Sequence, residues 1–267
     1  MRLDVYLAEN GYAESRERAK RLIEAGAVLV EGKVACKASQ SVEGEPEISV
    51  REERFVSRGG EKLEAALRAF EIDVGGKAAL DIGASTGGFT DCLLQHGAAR
   101  VVAVDAGIGQ LHPRLVADAR VRNIEKYNAR ELSVSDVGVA ELAVMDVSFI
   151  SQTYILPRIP AVLADGGTLI TLIKPQFEAG RAALNRKGLV RNPRDRVRAV
   201  RRVLLSAAEE GLCCVGLAPS PIRGGDGNEE YLACFRAGKD CILNLEFPVE
   251  KTVLEGEVSL WPSKAWH

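Results

Sequence analysis

Zinc-type cysteine spacing is missing from this chain. The six cysteines, Cys36, Cys92, Cys213, Cys214, Cys234 and Cys241, form no C-x-x-C pair and stand at no zinc spacing from a histidine. A disulfide framework and a metal site are both disfavoured, and the thiols are expected to be reduced and mostly buried. Also missing are a charged, then apolar leader at the N-terminus and any apolar run approaching the roughly 18 residues that span a bilayer. The expected location is the cytoplasm, with no membrane partner. No series of long alternating strands with an apolar outer face occurs either, which leaves a pore-forming role without physical support. Neither sign of charge prevails: the net charge is −2, so any affinity for nucleic acid must come from local asymmetry. What is present is enough apolar material, 46% of 267 residues, to bury a large domain and a small one.

Residues 1–50 read as the small one. "RLDVYLAENG" sets Leu3, Val5, Tyr6 and Leu7 on a short helix that stops at Asn10-Gly11, and "SRERAKRLIEAG" follows with Ser15 as N-cap and Gly26 as C-cap. "AVLVEGKVA" then gives two short strands around a Glu31-Gly32 turn. The second helix turns Leu22 and Ile23 inward and presents Arg16, Lys20 and Arg21 about one turn apart. Taken alone, those cations are a solvated helix face. The whole arrangement, however, resembles the small RNA-binding module of ribosomal protein S-four and its relatives, an α+β domain. The resemblance covers roughly the first 50 residues and implies RNA rather than a particular reaction. It makes Arg2, Arg16, Lys20 and Arg21 candidates for gripping structured RNA, whose A-form helix offers phosphates and 2′-hydroxyls rather than legible base edges in its deep groove.

Residues 51–60, ending in Gly59-Gly60, read as a linker. From Glu61 the period turns helical, with Leu63, Ala66, Leu67 and Phe70 on one face, and a domain spanning 61–238 begins. "AALDIG", "RVVAVD", "ELAVMD" and "TLITLIK" are short apolar runs separated by stretches long enough for crossover helices, the pattern of buried parallel strands. After the helical "RDRVRAVRRVLLSAAEEG", "LCCVGLAPS" and "EEYLACFRA" read as a closing antiparallel hairpin. This α/β order resembles the class I methyltransferase fold, a Rossmann-like, mostly parallel seven-stranded sheet with an antiparallel final strand. Residues 239–267 form an extension in which "CILNLEF" could add a strand.

The stretch from Asp81 to Gly88 falls where the first strand of this domain turns into a helix, the place where open α/β sheets bind ligands. Its G-x-x-x-G-G spacing is not the G-x-G-x-x-G of a dinucleotide fold, and no G-K-[ST] follows to cradle phosphate. The second strand ends at Asp105, placed to accept hydrogen bonds from ribose hydroxyls and to repel a pyrophosphate. An acid before the loop and another a strand later suit S-adenosyl-L-methionine, whose sulfonium and amino groups are cationic. Asp81, Gly83, Ala84, Ser85, Gly87, Gly88, Asp105 and Asp146 are its expected contacts, although any strand-to-helix turn favours glycine.

Four polar residues interrupt apolar strand ends or helix starts: Lys62, Asp146, Lys174 and Glu230. Singly each reads as a boundary residue; together they gather at the sheet edge where the glycine loop opens. Their order matches the K-D-K-E tetrad of the FtsJ/RrmJ-type ribose 2′-O-methyltransferases. "VSRGGEKLEAAL", "LDIGASTGGFTDCLL", "VMDVSFIS", "LIKPQFE" and "GNEEYL" are similar to the TlyA family, and the resemblance runs through about residue 238. It implies methyl transfer to the ribose 2′-hydroxyl of cytidine in ribosomal RNA, with ribosomal subunits as partners. A ribose hydroxyl is a weak nucleophile whose proton must leave as the methyl group arrives, and a free lysine, with a pKa near ~10.4, is mostly protonated at neutral pH. A second cation nearby disfavours the charged form, whereas an adjacent carboxylate favours it. Lys174 is the candidate base or hydroxyl-orienting group, with Lys62 as the neighbouring cation. Asp146 would orient Lys174 close to the methyl group, and Glu230 would position a lysine or the ribose. Glu229 adjoins Glu230; the family pattern of Gly-Asn, one variable residue, then Glu-Tyr selects Glu230.

Other acceptors fit less well. "DVSF" stands where amino-methylating enzymes commonly carry D/N-P-P-[YF], and Cys92 reads as a packed small residue rather than a nucleophile. Residues 181–202 carry nine Lys or Arg against one acid, Asp195. Within them Arg186, Lys187, Arg191 and Arg194 are expected to grip RNA phosphates beside the catalytic edge. The main rival reading is a non-catalytic RNA-binding or ribosome-assembly factor, and a methyltransferase of small molecules comes third.

Overall fold

The computed structural model describes residues 1–24, 26–35, 37–50, 54–225, 227–237 and 247–260. The chain separates into two compact units, Met1–Arg54 and Phe55–His267. Residues 55–60, read from the sequence as linker, are built into the larger unit: Phe55 is buried in its core, and the Val56 amide donates to Asp91 Oδ2 at 2.8 Å.

In the smaller unit α1 (Leu3–Glu9) and α2 (Arg16–Glu24) share a core with β1 (Val28–Val30), which pairs antiparallel with β2 (Lys33–Val34) and β3 (Ile48–Val50). The Arg18 amide donates to Ser15 Oγ at 3.1 Å, the N-cap the sequence predicts. Leu3, Leu7, Leu22 and Ile23 fill the core, and burial of each such side chain contributes roughly 1.5–3 kcal/mol.

The larger unit is built on an eight-stranded sheet. Five parallel strands, β4 (Ala78–Ile82), β5 (Arg100–Val104), β6 (Val121–Ile124), β7 (Ala140–Met145) and β8 (Leu163–Ile173), lie in the order β6-β5-β4-β7-β8. Beyond β8 come β9 (Leu212–Pro219) and β10 (Tyr231–Ala237), with β10 inserted between β8 and β9 and antiparallel to both. These are the seven strands of the expected fold. An eighth, β11 (Ser259–Leu260), pairs antiparallel with β9 at the edge, whereas residues 241–246, expected to add a strand, lie outside the described residues.

Helices α3 (Gly59–Ala69) and α4 (Gly88–Gln95) flank β4; the short helices α5 (Pro113–Val116), α6 (Val134–Val137) and α7 (Ile159–Val162) stand in the successive crossovers. After β8 come α8 (Pro175–Glu178) and α9 (Pro193–Glu209). Alternation sorts the strand side chains between two faces. Leu80, Ile82 and Met145 join one core with α7 and α9, while Ala79, Leu142 and Val144 join the other with α3 and α4. One sequence expectation fails among the cysteines. Cys213 is disulfide-bonded, because bridging depends on spatial approach that spacing along the chain does not reveal. Cys214 and Cys234 are free thiols, and burial pushes the Cys234 thiol up to about 12.

Candidate active site

Parallel strands deliver the ends of β4, β5, β7 and β8 to one edge of the sheet. Gly83 follows β4 at φ 84, and a Cβ there would stand 2.7 Å from the Asp146 carbonyl oxygen, so only glycine lets this loop lie against the end of β7. Two clefts open on the edge and share Gly83, Ser85, Asp146 and Ser148 in their walls. The smaller, about 320 Å³, is also lined by Arg58, Lys62, Ala84, Gly88, Lys174 and Arg223. The larger, about 760 Å³, adds Asp105, Gln110, Tyr127, Arg130, Phe149 and Ile155.

The four tetrad residues form two ion pairs. Lys62 Nζ lies 2.5 Å from Glu230 Oε2, and Lys174 Nζ lies 2.6 Å from Asp146 Oδ1. Lys174 also donates to Ser148 Oγ at 2.8 Å. Its approach to Asp146 lies off hydrogen-bond alignment, so Oδ1 has charge compensation without an aligned donor. Lys62, Asp146 and Lys174 line the smaller cleft, and buried Glu230 reaches Lys62 from a neighbouring groove. Glu229 pairs elsewhere, with Arg196 at 3.0 Å and Arg223 at 3.2 Å, so the carboxylate that reaches a tetrad lysine is that of Glu230. Lys62 therefore lines the same cleft as Lys174 as half of a salt bridge, with Glu230 as its carboxylate partner.

A buried polar brace ties the two loops that carry these groups. Glu178, on α8 just after Lys174, accepts from Ser151 Oγ at 2.5 Å and from the Gln152 amide at 2.8 Å. Gln152 Nε2 donates to the Leu172 carbonyl, and Thr171 Oγ1 donates to Gln152 Oε1. Burial raises the Glu178 carboxyl above its ordinary range, against the two hydrogen bonds that pull it down.

Of the expected donor-binding residues, Gly83, Ala84, Ser85, Gly88, Asp105 and Asp146 line one cleft or both. Asp105 also shapes the loop: Oδ2 accepts from the Ser85 amide at 2.8 Å and Oδ1 from the Gly107 amide at 2.7 Å. Asp81 and Gly87 are in neither wall. Alternation turns Asp81 inward with Ala79, where Thr90 Oγ1 on α4 donates to its Oδ2 at 2.6 Å and Oδ1 has no partner among the described residues. Gly87, at φ 97, caps α4, and a Cβ there would stand 2.3 Å from a Leu115 methyl group; its role is packing.

Several residues of the site carried no signal in the sequence reading: Ser148, Arg58, Arg223 and, above all, Phe149. Phe149 is 92% exposed, sits at φ 64 and packs its ring 5.3 Å from that of Phe177. A phenylalanine in left-handed backbone is strained, and such strain clusters at functional sites.

The expected RNA contacts are placed as follows. Arg2 and Arg16 are half exposed and hold the wholly buried Asp4 at 2.9 and 3.2 Å. The Arg2 hydrogen bond first, then that of Arg16, keeps the Asp4 carboxyl down at about 2, against the opposing effect of burial. Lys20 is exposed, and the side chain of Arg21 lies outside the described residues. Arg186, Lys187, Arg191 and Arg194 are exposed on the turn before α9 and at its start. Asn228 clamps that turn, accepting from the Val190 amide at 3.1 Å and donating to the Gly188 carbonyl at 3.1 Å. The basic turn is thereby fastened two residues from Glu230.

Comparison with known proteins agrees with this architecture. The FtsJ-like methyltransferase family matches residues 55–237, and the S4 domain matches residues 1–48. TlyA of Mycobacterium tuberculosis, a 16S/23S rRNA (cytidine-2′-O)-methyltransferase, is 41% identical over 96% of this chain and 98% of its own. Hemolysin A of Brachyspira hyodysenteriae is 44% identical over 88% of this chain and 99% of its own. A Streptococcus thermophilus structure provisionally named a hemolysin is 40% identical, with a TM-score of 0.77 over 96% of this chain and 95% of that one. Among the described residues no helix is long and apolar enough to cross a membrane. With an S4 domain followed by an FtsJ-like methyltransferase, and with relatives matched over nearly their whole length, the chain belongs to the TlyA family.

Proposed function

We propose that the protein uses S-adenosyl-L-methionine to methylate the ribose 2′-hydroxyl of cytidine in ribosomal RNA. The observation that carries the reading is the shared wall: Asp146 and Ser148 border both clefts, and Lys174, in the wall of the smaller one, contacts both residues. A donor in one cleft and an acceptor in the other would meet at Asp146.

The larger cleft fits a cationic, ribose-bearing donor. Asp105 and Asp146 put carboxylates in its wall, and the unpartnered Asp81 Oδ1 lies beneath the glycine loop. Bound there, S-adenosyl-L-methionine would supply an electrophilic methyl group. Asp105 keeps lone pairs free for ribose hydroxyls beyond the two amides it already accepts. In the smaller cleft Lys174 takes the proton of the attacking hydroxyl, and Lys62, held by Glu230, orients the ribose. Arg58 and Arg223 on the cleft wall meet phosphate, and the exposed Phe149 ring offers a stacking face to a base. The S4 domain and the basic turn supply affinity for structured RNA. Ribosomal RNA as substrate carries with it a cytoplasmic location.

The test is transfer of labelled methyl to unmodified small and large ribosomal subunits by the wild type and by Lys174→Ala. Label on ribose 2′-oxygen with the wild type, reduced by about 10²-fold or more in the variant, is the expected result. Unchanged turnover in Lys174→Ala refutes its role as base. An absence of label from ribosomes that bind the donor-loaded protein points to an assembly factor instead.

A further inference from the structure

We propose that Ser148 is a positioning residue that, together with Asp146, aims the Lys174 lone pair at the ribose hydroxyl; this rests on the reading of Lys174 as base. A neutral amine nitrogen carries a carbon, two hydrogens and one lone pair at tetrahedral positions. Around Lys174 Nζ one acceptor is aligned, Ser148 Oγ at 2.8 Å, while Asp146 Oδ1 stands 2.6 Å away as a counter-charge off hydrogen-bond alignment. With one N–H held on Ser148 Oγ and the other drawn to the side of the Asp146 carboxylate, one direction is left for the lone pair. Lys174 lines only the smaller cleft, whereas Asp146 and Ser148 line both, so the free direction opens onto the acceptor side. With Asp146 alone, the amine can rotate about its Cε–Nζ bond and present a hydrogen to the substrate instead.

The loop is built to hold Ser148 at this place. Asp146 directly follows β7, the left-handed turn at Phe149 comes immediately after Ser148, and Ser151 and Gln152 are fastened to Glu178 three and four residues on. In the step so arranged, the Lys174 ammonium of the resting ion pair first gives one proton to solvent, and the ribose 2′-oxygen then bonds to the methyl carbon as its proton passes to the neutral Nζ. The electron pair of the broken carbon–sulfur bond returns to the donor's sulfur, and Lys174 ends as an ammonium with Asp146 as counter-ion.

The experiment compares Ser148→Ala and Ser148→Thr with the wild type in the full-length protein, using unmodified ribosomal subunits. Measured quantities are kcat across pH 6 to 9 and the Kd for S-adenosyl-L-methionine. The expected result for Ser148→Ala is a kcat lowered about tenfold at every pH, with donor Kd within about threefold; Ser148→Thr, which keeps the hydroxyl, restores most of the rate. A general loss of structure would not be rescued by one hydroxyl. A kcat for Ser148→Ala within about twofold of wild type, or a loss confined to donor Kd, overturns the assignment. Lys174→Ala run alongside separates the two ideas: an active Lys174→Ala removes the base, whereas an inactive one beside a normal Ser148→Ala removes only the role of Ser148.

Discussion

Asp81 sits beneath the glycine loop with one carboxyl oxygen bonded to Thr90 and the other without a partner. Burial, with the nearby Asp146 and Asp105 carboxylates adding to it, pushes this carboxyl up to about 7, against the pull of Thr90. A carboxyl whose pKa rises on folding binds its proton more tightly in the folded chain. Its stabilising contribution is therefore full below the unfolded pKa, near ~3.9, and is lost as pH rises through about 7. Asp81→Asn removes that dependence: relative to wild type, the variant gains thermal stability as pH is raised from 5 to 8. A cationic donor reverses the preference by favouring the ionised carboxylate, so wild-type donor affinity increases over the same range and that of Asp81→Asn does not. Melting curves and donor titrations at pH 5, 6.5 and 8 check both; parallel curves for the two proteins would refute the linkage.

At the scale of elements, the separation of the β7 and β8 loops is set by the brace of Ser151, Gln152, Thr171 and Glu178 rather than by the ion pair at the surface of the cleft. Glu178→Ala deprives the buried Gln152 amide of its acceptor, which costs roughly 1–3 kcal/mol, and leaves the Ser151 hydroxyl only Thr153 Oγ1 at 2.8 Å. Urea unfolding should show that loss, and methyl transfer measured well below the transition should fall with it, because the Asp146 and Lys174 loops are no longer fixed to each other. Full activity in a destabilised variant would show that the brace serves stability alone. The same contrast explains what the sequence disclosed. Strands and caps were legible because short apolar runs and Ser15 have local causes, and Lys62, Asp146 and Lys174 drew notice because charges at apolar strand ends and helix starts stand out. Asp81 bonds Thr90 beneath the loop and Gly87 packs on Leu115 rather than lining a cleft, since motif spacing does not say which residues of a loop form a cleft wall and which lie behind it. Ser148, Phe149 and Arg223 lie on irregular loops, where nothing periodic marks a direction, and the Cys213 bridge needed an approach in space that no local pattern encodes. Residues 55–60 looked like linker because Gly59-Gly60 resembles a break, while the buried Phe55 had no repeat to announce it.

Across the whole molecule the net charge of −2 conceals a local excess: nine of the 35 Lys and Arg residues fall in 181–202 beside a single acid. Some of these are committed inward, as Arg196 is to Glu229 and the Tyr231 hydroxyl, and Arg202 to the Glu178 carbonyl. Arg186, Lys187, Arg191 and Arg194 remain outward, on a turn clamped by Asn228. If they contact phosphates, binding releases counterions, and the logarithm of RNA affinity falls linearly with the logarithm of salt concentration. Replacing all four by alanine then lowers the magnitude of that slope by roughly one unit for each phosphate left without its cation, and donor Kd is unaltered, because none of the four borders the larger cleft. Filter binding of ribosomal subunits between about 50 and 200 mM salt reads the slope, and donor titration reads the control. An unchanged slope would move the phosphate contacts away from this turn, to the S4 domain and to Arg58 and Arg223. A slope reduced together with donor affinity would mean instead that the turn supports the fold of the site.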